Sequence, residues 1–150
     1  MPHSYHNLLT HAVFSTKDRL PTIHSDFKSD LYAYMGGIVR ELKGSALLIN
    51  GMPDHVHMLL RVPANLSTSD CMLKVKTNSS RWIHEKFPQH KRFSWQHGFA
   101  AFSVSESAKP QVLQYIREQE HHHRKVTFQE ELRMFLVKNN VIFDEQYIWK

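Results

Sequence analysis

The run HVHMLLRV, residues 55 to 62, alternates in a way that a strand resolves into two faces, because successive strand side chains point to opposite sides. Val56, Met58, Leu60 and Val62 share one face, which is apolar throughout, as a helix-covered core requires. His55, His57, Leu59 and Arg61 share the other. Upstream, SALLING (45–51) is a second apolar run, and Asn50, Gly51 and Pro53 between the two predict a hairpin. YHNLLTHAVFS (5–15) is rich in strand formers and stops at the polar TKDRLP, and FAAFSV (99–104) makes a short fourth strand. The period changes in FKSDLYAYMGGIVRELKG (27–44), where Leu31, Tyr34 or Met35, Ile38 and Leu42 recur at helical spacing and Gly44 marks a stop. A second helix over 66–87 repeats Met72, Val75, Ile83 and Phe87 and is closed by Pro88. Ser105 or Ser107 caps a third, with Pro110 in its first turns, running to about Lys125. Thr127 and Glu130, at capping-box spacing, open a fourth in FQEELRMFLVKN, and VIFDEQYIW (141–149) reads as a docked extension.

The order β-α-β-β-α-β followed by two helices predicts an α+β fold, a ferredoxin-like or RRM-like sandwich with an antiparallel sheet and helices on one face. The other face then needs a cover or a ligand. No repeat or linker divides the chain, so one domain over 1–150 is expected. With 150 residues, 41% of them hydrophobic, a real core is available. Mean hydropathy is −0.46 and no apolar run approaches the roughly 18 residues of a membrane span. The start, MPHSYHNLLTHAVF, lacks a signal-peptide layout, so a soluble, cytoplasmic protein is expected. The single cysteine, Cys71, excludes an internal disulfide framework and a cysteine-based zinc site. A net charge of +5 favours a polyanionic partner without proving one. The 12 histidines can take up metal, add charge in mild acid or do acid–base work.

His55 and His57 sit side by side on the face away from the apolar set, close enough to converge on one ion. By themselves they fit two surface histidines on a half-exposed strand equally well. QVLQYIREQEHHHR (111–124) adds to the picture. On a helix, Tyr115, Gln119 and His122 or His123 fall on one stripe. The packing stripe beside it is Val112 or Leu113 with Ile116, and Tyr115 borders it, so a core-edge tyrosine is the plain alternative. Taken together, the two stretches offer two imidazoles, an amide oxygen and a phenol one helical turn from that amide.

DHVHML resembles the HUH motif (His, hydrophobe, His), and YIREQ resembles the catalytic helix of the single-tyrosine transposases of bacterial and archaeal insertion sequences, a family that includes the REP-associated tyrosine transposases. HAVFSTKDRLP, WQHGFAAFSVS, FQEELRMFL and FDEQYIW agree with the family layout, so the likeness runs from about residue 5 to 149. It implies the same sandwich with a C-terminal catalytic helix, and a divalent metal, Mg2+ or Mn2+, on His55, His57 and Gln119. It implies Tyr115 as nucleophile, single-stranded DNA with hairpin ends as substrate, and a homodimer in which the tyrosine helix of one subunit can complete the site of the other.

Such chemistry suits these groups. A phenolate that attacks phosphorus retains the bond energy in a 5′-phosphotyrosine and frees a 3′-OH, so rejoining needs no ATP. Phenol, with a pKa of about 10, needs help to lose its proton, and a bound dication polarises the scissile phosphate. No carboxylate can be placed in the site from sequence alone, although Asp54 is a candidate to orient a metal-binding histidine if it is more than a turn residue. Lys17, Arg19, Arg61, Lys74, Lys76 and Arg81 are candidate phosphate contacts, and Trp82 and Trp95 either stack on bases or pack in the core. Two other readings remain: an HUH replication initiator or relaxase, disfavoured by the chain's size, and a non-catalytic nucleic-acid-binding module, disfavoured by histidines where such a module offers aromatics.

Overall fold

The computed structural model describes residues 4–148. Four strands, β1 (Leu9–Ser15), β2 (Ser45–Met52), β3 (His55–Arg61) and β4 (Ala100–Val104), form one sheet in the order β2-β3-β1-β4, with every neighbour antiparallel. Helices α1 (Lys28–Glu41) and α2 (Thr68–Lys86) lie in the two long connections; α3 (Lys109–Arg117), α4 (Gln119–His122) and α5 (Phe128–Lys138) follow β4. This is the expected ferredoxin-like α+β arrangement.

One face of the sheet carries the main core. Ala12, Phe14, Val56, Met58, Leu60 and Val62 pack against Leu31, Met35 and Ile38 of α1 and Cys71, Met72, Val75 and Ile83 of α2. The strand alternation and the two helical stripes thus meet as their periods predict, and Cys71 is buried among them. Ser67 caps α2 by accepting from the Asp70 amide, and Thr127 caps α5 by accepting from the Glu130 amide. The second face is covered by the C-terminal helices, where Val13 and Phe102 pack against Phe128, Leu132 and Leu136. Phe143 and Ile148 of the tail pack against that smaller cluster while Ile142 is 98% exposed, so the extension docks through two separated residues; Trp149 lies outside the described residues.

Three local features differ from the expectation. The β2–β3 turn is tighter: Asn50 and Gly51 stay in the strand and only Pro53 and Asp54 turn the chain. A side chain at Gly51 would place its Cβ 2.2 Å from the His55 carbonyl, so the bare glycine lets β2 close against the histidine strand. At the end of α1 the left-handed residue is Lys43 (φ 70), while Gly44 permits close approach to the Arg61 carbonyl. The helix expected to run to Lys125 breaks at Glu118 (φ −96, ψ 28). There the Asn50 amide donates to the Ile116 and Arg117 carbonyls (2.9 and 3.3 Å), and the Gln119 side chain, rather than its backbone, reaches the Tyr115 carbonyl (3.5 Å). Side chains thus satisfy carbonyls that a continued helix would have used.

Candidate active site and metal centre

β3 sends His55 and His57 into the layer between the sheet and the C-terminal helices, where both are fully buried. They are not surface histidines. Gln119, at the start of α4, is also fully buried, and its Oε1 lies 3.1 Å from His55 Nε2. Tyr115 on α3 sets its ring 5.8 Å from that of His57, centroid to centroid. The metal ligands and nucleophile implied by the family likeness are therefore neighbours within one chain.

A carboxylate missed in the sequence stands at the centre. Glu131 of α5 is buried, with Oε1 at 2.9 Å from His57 Nε2, 3.1 Å from His123 Nε2 and 3.3 Å from His55 Nε2. Its Oε2 accepts a short hydrogen bond from the Tyr115 hydroxyl and a longer one from Gln119 Nε2 at 3.4 Å. A signal for it existed. Phe128, Leu132 and Leu136 mark the buried stripe of α5, and Glu131 falls on that stripe, where a lone acid asks for a partner. Of the two histidines that the helical stripe left open, His123 enters the cluster, while His122 stacks on the Tyr115 ring at 4.4 Å.

Electrostatics follow from this burial. Desolvation would by itself raise the Glu131 carboxyl, but the imidazoles of His123, His55 and His57 outweigh it and hold the group ionised, far below the usual carboxylate range. Burial would likewise depress His55, yet Asp54 and Glu131 lift it to about 9. In His57 burial prevails and its pKa falls. His11, buried and 2.8 Å from His57 Nδ1 through its Nε2, is pushed down to about 3 by desolvation and then by His57. Burial and the adjoining Glu131 charge drive the Tyr115 phenol well above its ordinary value, so the unassisted hydroxyl keeps its proton. Asp54 accepts from His55 Nδ1 at 2.8 Å, the orienting contact that its position suggested. A buried pocket of imidazole nitrogens, an amide oxygen and a carboxylate suits a divalent cation. Two clefts flank it. One of about 470 Å³ is lined by Asp54, His123 and Phe128, and one of about 330 Å³ by His11, Val112, Tyr115 and Phe135.

The candidate phosphate contacts are not gathered there. Lys74 and Arg81 are exposed on α2, in the layer beyond the opposite face of the sheet. The Lys76 ammonium is turned onto the carbonyls of Gln96, His97 and Gly98, and burial lowers its pKa to about 8. Arg61 donates to Asn7 and lies 4.0 Å from Glu106. Lys17 is exposed and Arg19 half-buried in the turn after β1. Trp95 is a core residue donating to Ser79, and Trp82 is half-buried against Tyr34. No helix among the described residues is long and apolar enough to cross a membrane.

Comparison with known proteins agrees with this geometry. The family model described as "Transposase IS200 like" matches residues 4–119. The chain is 28% identical over 128 residues to the transposase of insertion sequence element IS200 from Salmonella typhimurium, covering 79% of this chain and 81% of that protein. It is 25% identical over 114 residues to the ISDra2 transposase TnpA of Deinococcus radiodurans, covering 73% and 81%. A crystal structure from Deinococcus radiodurans, of a protein assigned as a transposase, superposes with a TM-score of 0.64 at 23% identity, over 79% of this chain and 95% of that one. A REP-associated tyrosine transposase bound to a REP hairpin superposes with a TM-score of 0.62 at 14% identity, over 84% and 74%. These two likenesses carry the fold, and the family match carries the assignment. With its histidine strand, its tyrosine helix and a match across most of its length, the chain belongs to the IS200-like transposase family.

Proposed function

We propose that this transposase cuts and rejoins single-stranded DNA at hairpin-marked element ends through a 5′-phosphotyrosine on Tyr115. His55, His57 and Gln119 would hold Mg2+ or Mn2+, which when bound withdraws charge from the scissile phosphate and stabilises the leaving oxygen. The chain's own groups do the rest. The Tyr115 hydroxyl gives up its proton and its oxygen forms a bond to phosphorus, as the bond from phosphorus to the 3′-oxygen breaks and that oxygen takes up a proton. Asp54 and His11 fix the ring orientations of His55 and His57 from behind. The cleft beside the Tyr115 ring offers an approach for the strand. Lys17, Arg19 and Arg61 serve as backbone contacts on the sheet side, and Lys74, Lys76 and Arg81 would contribute only to DNA that wraps to the α2 layer. The chain works in the cytoplasm as a homodimer, and hairpin recognition parallels that of the REP-associated relative.

The observation that carries this reading is the meeting of Tyr115, His55, His57 and Gln119 in a single buried cluster, drawn from segments 64 residues apart. Incubation with Mn2+ and a hairpin-bearing single strand should give a denaturation-resistant protein–DNA band. Tyr115→Phe should give none while still shifting the hairpin in a native gel. Equal adduct from the phenylalanine variant would reject Tyr115 as the nucleophile, and light scattering showing a monomer at working concentration would reject the dimer.

A further inference from the structure

The geometry points to His123 and Glu131 as additional ligands of the cation, with the second oxygen of Glu131 tying the Tyr115 hydroxyl to the same centre. This rests on the proposed metal chemistry and extends it to residues beyond the segment that the family model matches, 4–119.

The cluster turns its potential ligand atoms toward one centre. His123 Nδ1 lies 2.8 Å from the Val126 carbonyl, which can only accept, so Nδ1 carries a proton and Nε2 is the atom turned toward the centre. His55 Nδ1 lies 2.8 Å from Asp54 Oδ1, with the same consequence. Those two Nε2 atoms and His57 Nε2 stand around the ionised Glu131 Oε1, with Gln119 Oε1 beside His55 Nε2, and a cation entering there would take the place of the protons that now join them. A buried carboxylate needs positive charge beside it, which imidazole protons supply in the free protein and a bound dication would supply in their place. Spacing also fits. One donor atom from each of His55, His57, His123 and Glu131 lies within 4.8 Å of all the others, and Glu131 Oε1 stands 2.9 to 3.3 Å from the three nitrogens. Neighbouring ligands around an ion with bonds of about 2.1 Å stand roughly 3 Å apart.

Glu131 differs from the other members because it uses both oxygens. Oε1 faces the imidazoles and Oε2 holds the Tyr115 hydroxyl and the Gln119 amide. Ion and nucleophile are thereby positioned by one rigid side chain, itself fixed by the docking of α5 through Phe128, Leu132 and Leu136. A set of three imidazoles with one carboxylate is richer in nitrogen than magnesium prefers, so manganese or a later divalent metal is the better match.

The test is Mn2+ titration of the DNA-free protein, followed by calorimetry and by loss of the free-ion electron paramagnetic resonance signal. The parent chain should bind one ion. Glu131→Gln and His123→Ala should each weaken binding by at least about tenfold. Glu131→Asp should recover part of that loss. Circular dichroism in chelator checks that each variant is folded, and should Glu131→Gln fail this check, the half-buried His123→Ala and Glu131→Asp carry the measurement. Parent-like affinity in both Glu131→Gln and His123→Ala overturns the inference. If those variants bind normally while His57→Ala does not, only the added ligands fall; if His57→Ala also binds normally, the metal reading of the site falls with them.

Discussion

The two faces of β3 show one strand solving two problems. Toward α1 and α2 it presents Val56, Met58 and Leu60, each fully buried among other apolar side chains, where the free energy comes from area removed from water and from close packing. Toward α3 to α5 it presents His55 and His57, just as deeply buried, but in a cluster held by hydrogen bonds, ion pairs and one buried carboxylate. A buried charged network costs desolvation that an apolar core avoids, and hydrophobic replacements of such networks are often more stable. The first face therefore secures the fold, and the second keeps a costly arrangement that suits the proposed chemistry.

Substitutions on the two faces should separate these roles. The largest effect is expected from His57→Ala, which should lower DNA cleavage by at least about a hundredfold while hairpin binding in a mobility-shift assay stays near the parent level. Loss of both together would give His57 a structural role instead. Met58→Ala, one residue away but on the other face, should cost about 3 kcal/mol in urea unfolding and leave the Mn2+ affinity of the folded protein unchanged. A weaker ion site in that variant would mean that the faces are not independent. In chelator, the thermal midpoint should fall as pH rises from 6.5 to 9. An unfolded imidazole has lost its proton above 6.5, whereas folded His55 keeps one up to about 9, so the stabilisation is complete below 6.5 and is lost through 9. A flat profile over that window would contradict the pairing of His55 with Asp54 and Glu131. The smallest effect is that of Ser67→Ala at the cap of α2, about 1 kcal/mol in stability with no change in metal binding.

Much of the fold was legible because its elements obey their periods. The alternation through residues 56–62, the stripes of Leu31, Met35 and Ile38 and of Met72, Val75 and Ile83, and the cap Thr127 all act locally. The break at Glu118 was not legible, because it depends on Asn50 of β2, a partner 66 residues from Ile116. In the candidate site, the histidine pair stood out by strand geometry, and the phenol and amide by helical spacing. Glu131 was hidden for another reason. Its position on the inward stripe of α5 was readable, but that α5 lays this stripe over the histidines is a tertiary fact no local period encodes. Of the basic residues, Lys76 was misleading in appearance, since its charge is spent on backbone carbonyls of the loop before β4.

The central claim is that Tyr115 becomes covalently joined to the 5′ end of a cut strand at the centre assembled by His55, His57 and Gln119. The most direct measurement is peptide mapping by mass spectrometry of the protein recovered from a cleavage reaction and digested with nuclease and protease. A nucleotide mass should appear on the peptide that contains Tyr115 and on no other tyrosine. An adduct on a different residue, or efficient cleavage with the Tyr115 peptide left unmodified, would contradict the account.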